Sequence, residues 1–76
     1  MVYGYDVEIM NEYGLRRMSE ISLAASPASL RELAAFLLLA ADEAENAFSE
    51  HWHKHAPSSV RDGLECDFVV LKPSLE

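Results

Sequence analysis

The chain opens on a strict alternation of apolar and polar positions. Between Val2 and Met10, Tyr3, Tyr5, Val7 and Ile9 fall on one side of an extended segment and Asp6 and Glu8 on the other, the pattern of a half-buried strand. Asn11, Glu12, Tyr13 and Gly14 follow, and Asn and Gly accept the positive φ values of a tight hairpin. A second strand is predicted from Leu15 to about Ala24. Its apolar positions break phase, because Leu15, Ile21 and Leu23 keep a period of two and Met18 does not. Either a bulge or kink near Ser19 reconciles them, or Leu15 belongs to the turn and Met18 lies exposed.

From Ser26 the period lengthens. Ser26 as cap and Pro27 at the first helical position, where a missing amide hydrogen costs nothing, predict one long helix. Ser29 with Glu32, spaced as a capping box, is a competing start. On a wheel of roughly 100° per residue, Leu30, Leu33, Ala34, Leu37, Leu38, Ala41, Ala44 and Phe48 form a broad stripe expected to face the sheet. Arg31, Glu32, Asp42, Glu43 and Asn46 lie opposite, and Phe36 and Leu39 fall on that outward side with them. Large apolar groups there call for a reason: a loop that covers them, or a surface for self-association or a partner.

Past the helix, Glu45 to His55 fits a helix through Phe48 and Trp52, or an extended segment through the alternation of His51, His53 and His55. The helix is expected to end between Asn46 and Glu50. Pro57, Ser58 and Ser59 read as a loop, and Gly63 introduces a last strand, Glu65 to Leu71, closed by Pro73, with Cys66, Phe68 and Val70 inward. The expected fold is α+β: an antiparallel sheet of three strands, or four, in the order ββαβ, with the long helix packed on one face and spatial strand order 2-1-3. Residues 1–74 are expected to form a single small domain, with Leu75 and Glu76 a candidate cloning remnant.

Composition narrows the function classes. A chain of 76 residues buries only about 60% of its unfolded surface, so its core must come from few, large side chains. Thirteen acids against six bases leave a formal charge of -7. That balance disfavours nucleic acid and anionic membranes as partners and favours basic proteins. Cys66 is the one cysteine, which excludes an intrachain disulfide and a Cys-rich metal site and fits a reducing cytoplasm. The longest uncharged apolar run, Leu33 to Ala41, is shorter than the roughly 20 residues that cross a bilayer. Met1 to Met10 lacks the basic start and apolar stretch of a signal peptide.

Candidate chemistry is sparse. In an extended segment His51, His53 and His55 share one face and are weak candidates for a metal with an open fourth position. In a helix only His51 and His55 do. Solvated surface histidines are the simpler reading, and no metal or cofactor is expected. There is no glycine-rich phosphate loop, nucleophile elbow or paired-histidine zinc helix. Glu65 and Asp67 share a strand face without a concave pocket, so no catalysis is expected. The acids Asp42, Glu43, Glu45 and Glu50 cluster at the carboxyl end of the helix, where the macrodipole favours cations. With Phe36, Leu39 and Trp52 as apolar anchors, they are the candidate partner-binding residues.

Five segments carry a family resemblance: Tyr3-Gly-Tyr-Asp6, Glu20-Ile-Ser-Leu-Ala-Ala-Ser-Pro27, Leu30-Arg-Glu-Leu-Ala-Ala-Phe-Leu37, the His-x-His at 51 and 53, and Asp67-Phe-Val-Val-Leu-Lys-Pro73. Together they resemble the immunity-protein family 32 of bacterial polymorphic toxin systems. The resemblance implies a small cytoplasmic α+β protein that binds and neutralises a cognate toxin of the same cell or its kin. Many such toxins are basic nucleases, for which an acidic protein acts as a plug. A structural homodimer, paired through the Phe36 and Leu39 face or a free sheet edge, is the alternative from a different class. A histidine-based metal protein is the third.

Overall fold

The structure, a computed structural model, describes residues 1–73; the expectation for Leu75 and Glu76 lies outside that range. Strands β1 (Val2–Met10) and β2 (Arg16–Leu23) pair antiparallel. Their turn is organised by Asn11, whose side-chain oxygen accepts from the amides of Tyr13 at 2.9 Å and Leu15 at 3.0 Å. Gly14 takes φ 81° there, a conformation open to glycine at little steric cost. Tyr5 faces Glu20 and Asp6 faces Met18, which leaves Ser19 as an extra residue in β2. This is the bulge of the first expected reading, and it brings Met18 to the face shared by Ile21 and Leu23; Leu15 also lies outside β2 and Met18 is exposed, as the second reading has it. A second irregularity sits between Asp6 and Met10. Glu8 has φ 62° within it, and Asp6 accepts from the Glu8 amide at 2.6 Å and pairs with Arg16 at 2.9 Å.

Helix α1 spans Pro27–Asn46. Ser26 is its cap, with the Ser29 amide donating to Ser26 Oγ at 3.1 Å, so the Pro27 start holds and the competing start at Ser29 does not. The stop at Asn46 lies at the near edge of the expected range. Beyond it come a short strand β3 (His53–His55), a helix α2 (Ser58–Leu64) and a strand β4 (Val69–Leu71) antiparallel to β3. None of the described helices is long and apolar enough to cross a membrane.

The expected single antiparallel sheet of three or four strands in ββαβ order is overturned. The order is ββαβαβ, and the strands form two separate two-stranded sheets, β1-β2 and β3-β4. The last segment pairs with the histidine strand: His53 faces Leu71, Lys54 faces Val70 and His55 faces Val69. Ser58 and Ser59, expected as loop, and Gly63, expected to introduce the last strand, lie in α2, whose Val60 and Leu64 are buried one turn apart. The last strand accordingly begins at Val69 rather than Glu65, and Cys66 is exposed while Phe68 and Val70 pack against the core.

The core is small and lies between α1, α2 and the β3-β4 sheet. Leu33, Phe36, Ala40, Ala56, Val60 and Leu64 are its buried residues, with Val2, Ala25, Trp52, Phe68 and Val70 packed against them. Phe36 and Phe68 meet edge to face at 6.4 Å. The helices approach closely at Gly63, where an added Cβ would lie 2.8 Å from Ser29 Cβ. The inward face of α1 is therefore not the expected stripe. Leu33, Phe36 and Ala40 point in a direction about a quarter-turn away from the centre of that stripe on the helical wheel. Phe36, expected outward, is 4% exposed. Leu30, Leu37 and Leu38, expected inward, are exposed, as are both faces of the hairpin from Tyr3 onward.

Candidate partner-binding surface

Strand β3 and the segment leading to it border two grooves that divide Phe36, Leu39, Glu50 and Trp52 between them, while Asp42, Glu43 and Glu45 line neither. One groove, about 360 Å³, is lined by Tyr13 and Leu15 from the hairpin tip, by Glu50, His51, Trp52 and His53, and by Leu71 and Lys72. A second, about 340 Å³, lies between α1 and β3 and is lined by Glu32, Ala35, Phe36, Leu39, Lys54, His55 and Pro57. Trp52 and Glu50 thus belong to the first groove and Leu39 to the second. Phe36 contributes only to the floor of the second, because the core holds it.

The acids divide as well. Glu43 pairs with Lys54 at 2.7 Å, and Lys72 donates to the Ala47 carbonyl at 2.5 Å. The end of α1 has no basic residue in its own last turn, so these two lysines, brought from other elements, offset the macrodipole there. Among the described residues Asp42, Glu45 and Glu50 enter no ion pair, and all three are exposed. Their charge is presented to solvent and to any partner.

The three histidines are spent separately. His51 Nδ1 lies 3.4 Å from the Tyr13 hydroxyl, His53 Nδ1 lies 3.2 Å from the His51 carbonyl, and His55 Nδ1 lies 3.1 Å from Asp67. His53 and His55 share a face, as an extended chain requires, with rings edge to face at 5.4 Å. No group of three or more His, Cys, Asp or Glu side chains is arranged to hold a metal ion among the described residues. The hydrogen bond from His55, with a further one from the Phe68 amide, holds the Asp67 carboxyl below its ordinary value. The charge of neighbouring Glu12 raises the Tyr13 phenol.

Residues 20–73 match the model of the family described as Immunity protein 32. That span runs from the middle of β2 to the end of β4 and covers well over half of the 76 residues. The chain belongs to the Immunity protein 32 family. Both grooves fall within the family span except for Tyr13 and Leu15, and so do all the candidate partner-binding residues. The opening Tyr3 to Asp6 segment lies outside it. No curated protein and no solved structure matches the chain.

Tyr13, Leu15, Lys54 and Lys72 were not singled out by the reading of the sequence. They are brought to the grooves from three places in the chain, the hairpin tip, β3 and the segment after β4, and no local spacing signals that. The alternation of His51, His53 and His55 was the one available sign that the segment beside them is extended.

Proposed function

We propose that this protein is an immunity protein that neutralises a cognate bacterial toxin domain by direct protein contact, without catalysis. Membership of the Immunity protein 32 family carries the reading. The partner is a basic domain, met by Asp42, Glu45 and Glu50, which enter no ion pair among the described residues, with Leu39 and Trp52 as the apolar contacts of the two grooves. A net charge of -7 speeds encounter with a basic partner and repels nucleic acid. Complexes of this kind concentrate their energy in a few aromatic and large apolar residues ringed by polar ones, and Trp52 and Leu39 among acids fit that arrangement. The cytoplasm of the toxin-producing cell is where such protection is required.

The test is co-expression with the toxin domain encoded by the adjacent gene. The expected result is a complex that survives purification, weakens as salt is raised and restores growth. Asp42→Lys combined with Glu45→Lys should lower affinity at least about tenfold, near 1.4 kcal/mol. A neighbouring product that forms no complex, and whose toxicity the protein leaves unchanged, overturns the proposal.

A further inference from the structure

The fold leaves far more surface bare than a lone chain of this size should. Its accessible surface is 5997 Å², against about 4,650 Å² for a folded monomer of 8.5 kDa by the usual scaling with mass. The excess is about 1,300 Å². The radius of gyration is 13.3 Å, where a compact 76-residue domain has about 11.4 Å. The molecule is a plate with extents of 35 × 32 × 16 Å.

The bare surface is apolar and lies in two places. On the hairpin, the Ser19 bulge gathers Met18, Ile21 and Leu23 on one face, and all three are exposed, Ile21 at 58%. A two-stranded ribbon with both faces in water is marginal alone, and domains otherwise stack at least two layers. On α1, Leu30, Leu37 and Leu38 are exposed, Leu38 at 71%. This stripe is a second apolar face of α1, separate from the one that builds the core, and no charge interrupts residues 33–41.

We propose that a second copy of this chain covers these faces and that the protein is an obligate homodimer. Two such excess surfaces amount to about 2,600 Å², within the range of obligate homodimer interfaces. The stripe is also self-complementary. In an antiparallel two-fold apposition Leu30 meets Ala41 and Ala34 meets Leu37, so in these layers a large side chain faces a small one, the packing that interdigitation favours, with Leu38 on the flank. Arg31 then lies beside Asp42 of the partner subunit on the same flank. The occupant must also be present whenever the chain folds, and a second copy always is. The face differs from the Phe36 and Leu39 face expected from the sequence, since Phe36 belongs to the core. This proposal does not rest on the immunity reading, and the measurements of mass and melting that decide it need no toxin.

Sedimentation equilibrium of the full chain should give twice the 8.5 kDa chain mass at micromolar concentration. The melting temperature should rise with protein concentration, as linkage to association requires. Leu38→Glu and Ile21→Glu should each weaken the dimer at least tenfold, while Leu39→Asp, a similar change on the opposite side of α1, leaves it intact. If the Glu variants do not fold, the concentration dependence of the wild-type melt still decides. A wild-type monomer with a cooperative melt independent of concentration overturns the proposal. So does a dimer indifferent to both Glu changes. A monomer in which Leu38→Glu abolishes only toxin capture assigns the stripe to the toxin and overturns it equally.

Discussion

Truncating Phe36 separates two descriptions of the same helix. Periodicity places Phe36 and Leu39 together on the outward side, whereas the fold buries Phe36 at 4% exposure and leaves Leu39 at 53%. Phe36→Ala removes a ring enclosed by the core and in edge contact with Phe68. Replacing a buried aromatic by alanine costs about 3–5 kcal/mol, of which the aromatic pair supplies about 0.5–1.5 kcal/mol. A 76-residue domain has only about 4–11 kcal/mol in total, so the variant loses about a quarter of its stability or more. Leu39→Ala, on an exposed position, should stay within about 0.5 kcal/mol. Urea unfolding followed by far-UV circular dichroism, at one fixed protein concentration because association shifts the midpoint, measures both. Phe36→Leu serves as a milder variant if Phe36→Ala is unfolded in water. Equal effects at the two positions, or a Phe36→Ala loss under about 1 kcal/mol, would refute the burial argument.

Gly63→Ala should destabilise by about 1–3 kcal/mol despite alanine's better helix propensity, because the new Cβ meets Ser29 Cβ at 2.8 Å; Ser29→Gly in the same chain should recover part of the loss in thermal melts. Asp67 titrates below its ordinary value through its hydrogen bond from His55. Its stabilising effect is therefore present above the unfolded carboxylate pKa near 3.8 and lost as pH falls through the lower folded value. Urea midpoints of wild type and Asp67→Asn should accordingly differ above pH 4 and converge below it, and a constant difference across that range would count against the bond.

The elements with strong local signals were legible. The hairpin, its bulge near Ser19, the Ser26-Pro27 start and the stop at Asn46 all follow from short-range chemistry, namely turn residues, period and cap. The sheet arrangement was not. Pairing of His53 to His55 with Val69 to Leu71 spans a 7-residue helix, and Pro57-Ser58-Ser59 followed by Gly63 reads as loop although Val60 and Leu64 stand one turn apart. The phase of α1 differs from the one its periodicity predicts for a physical reason. Leu, Ala and Phe fill so much of its circumference that the broadest apolar stripe and the buried one need not coincide. Periodicity ranks apolar density, while burial depends on which elements arrive to cover a face. Of the candidate site, the acidic cluster and Trp52 were visible in composition and position, but the grooves, built from residues far apart in the chain, were not.

The two-faced hairpin has a practical consequence for observation. Its β1-β2 ladder is shielded on neither side within one chain, whereas the amides of α1 around Leu33, Phe36 and Ala40 lie against the core. In a lone chain hydrogen exchange would divide the molecule into a fast-opening ribbon and a slow helical body, whereas the proposed dimer slows the ribbon. Any slowing in the ribbon measures coverage by something outside the chain, so the hairpin reports its own occupancy residue by residue.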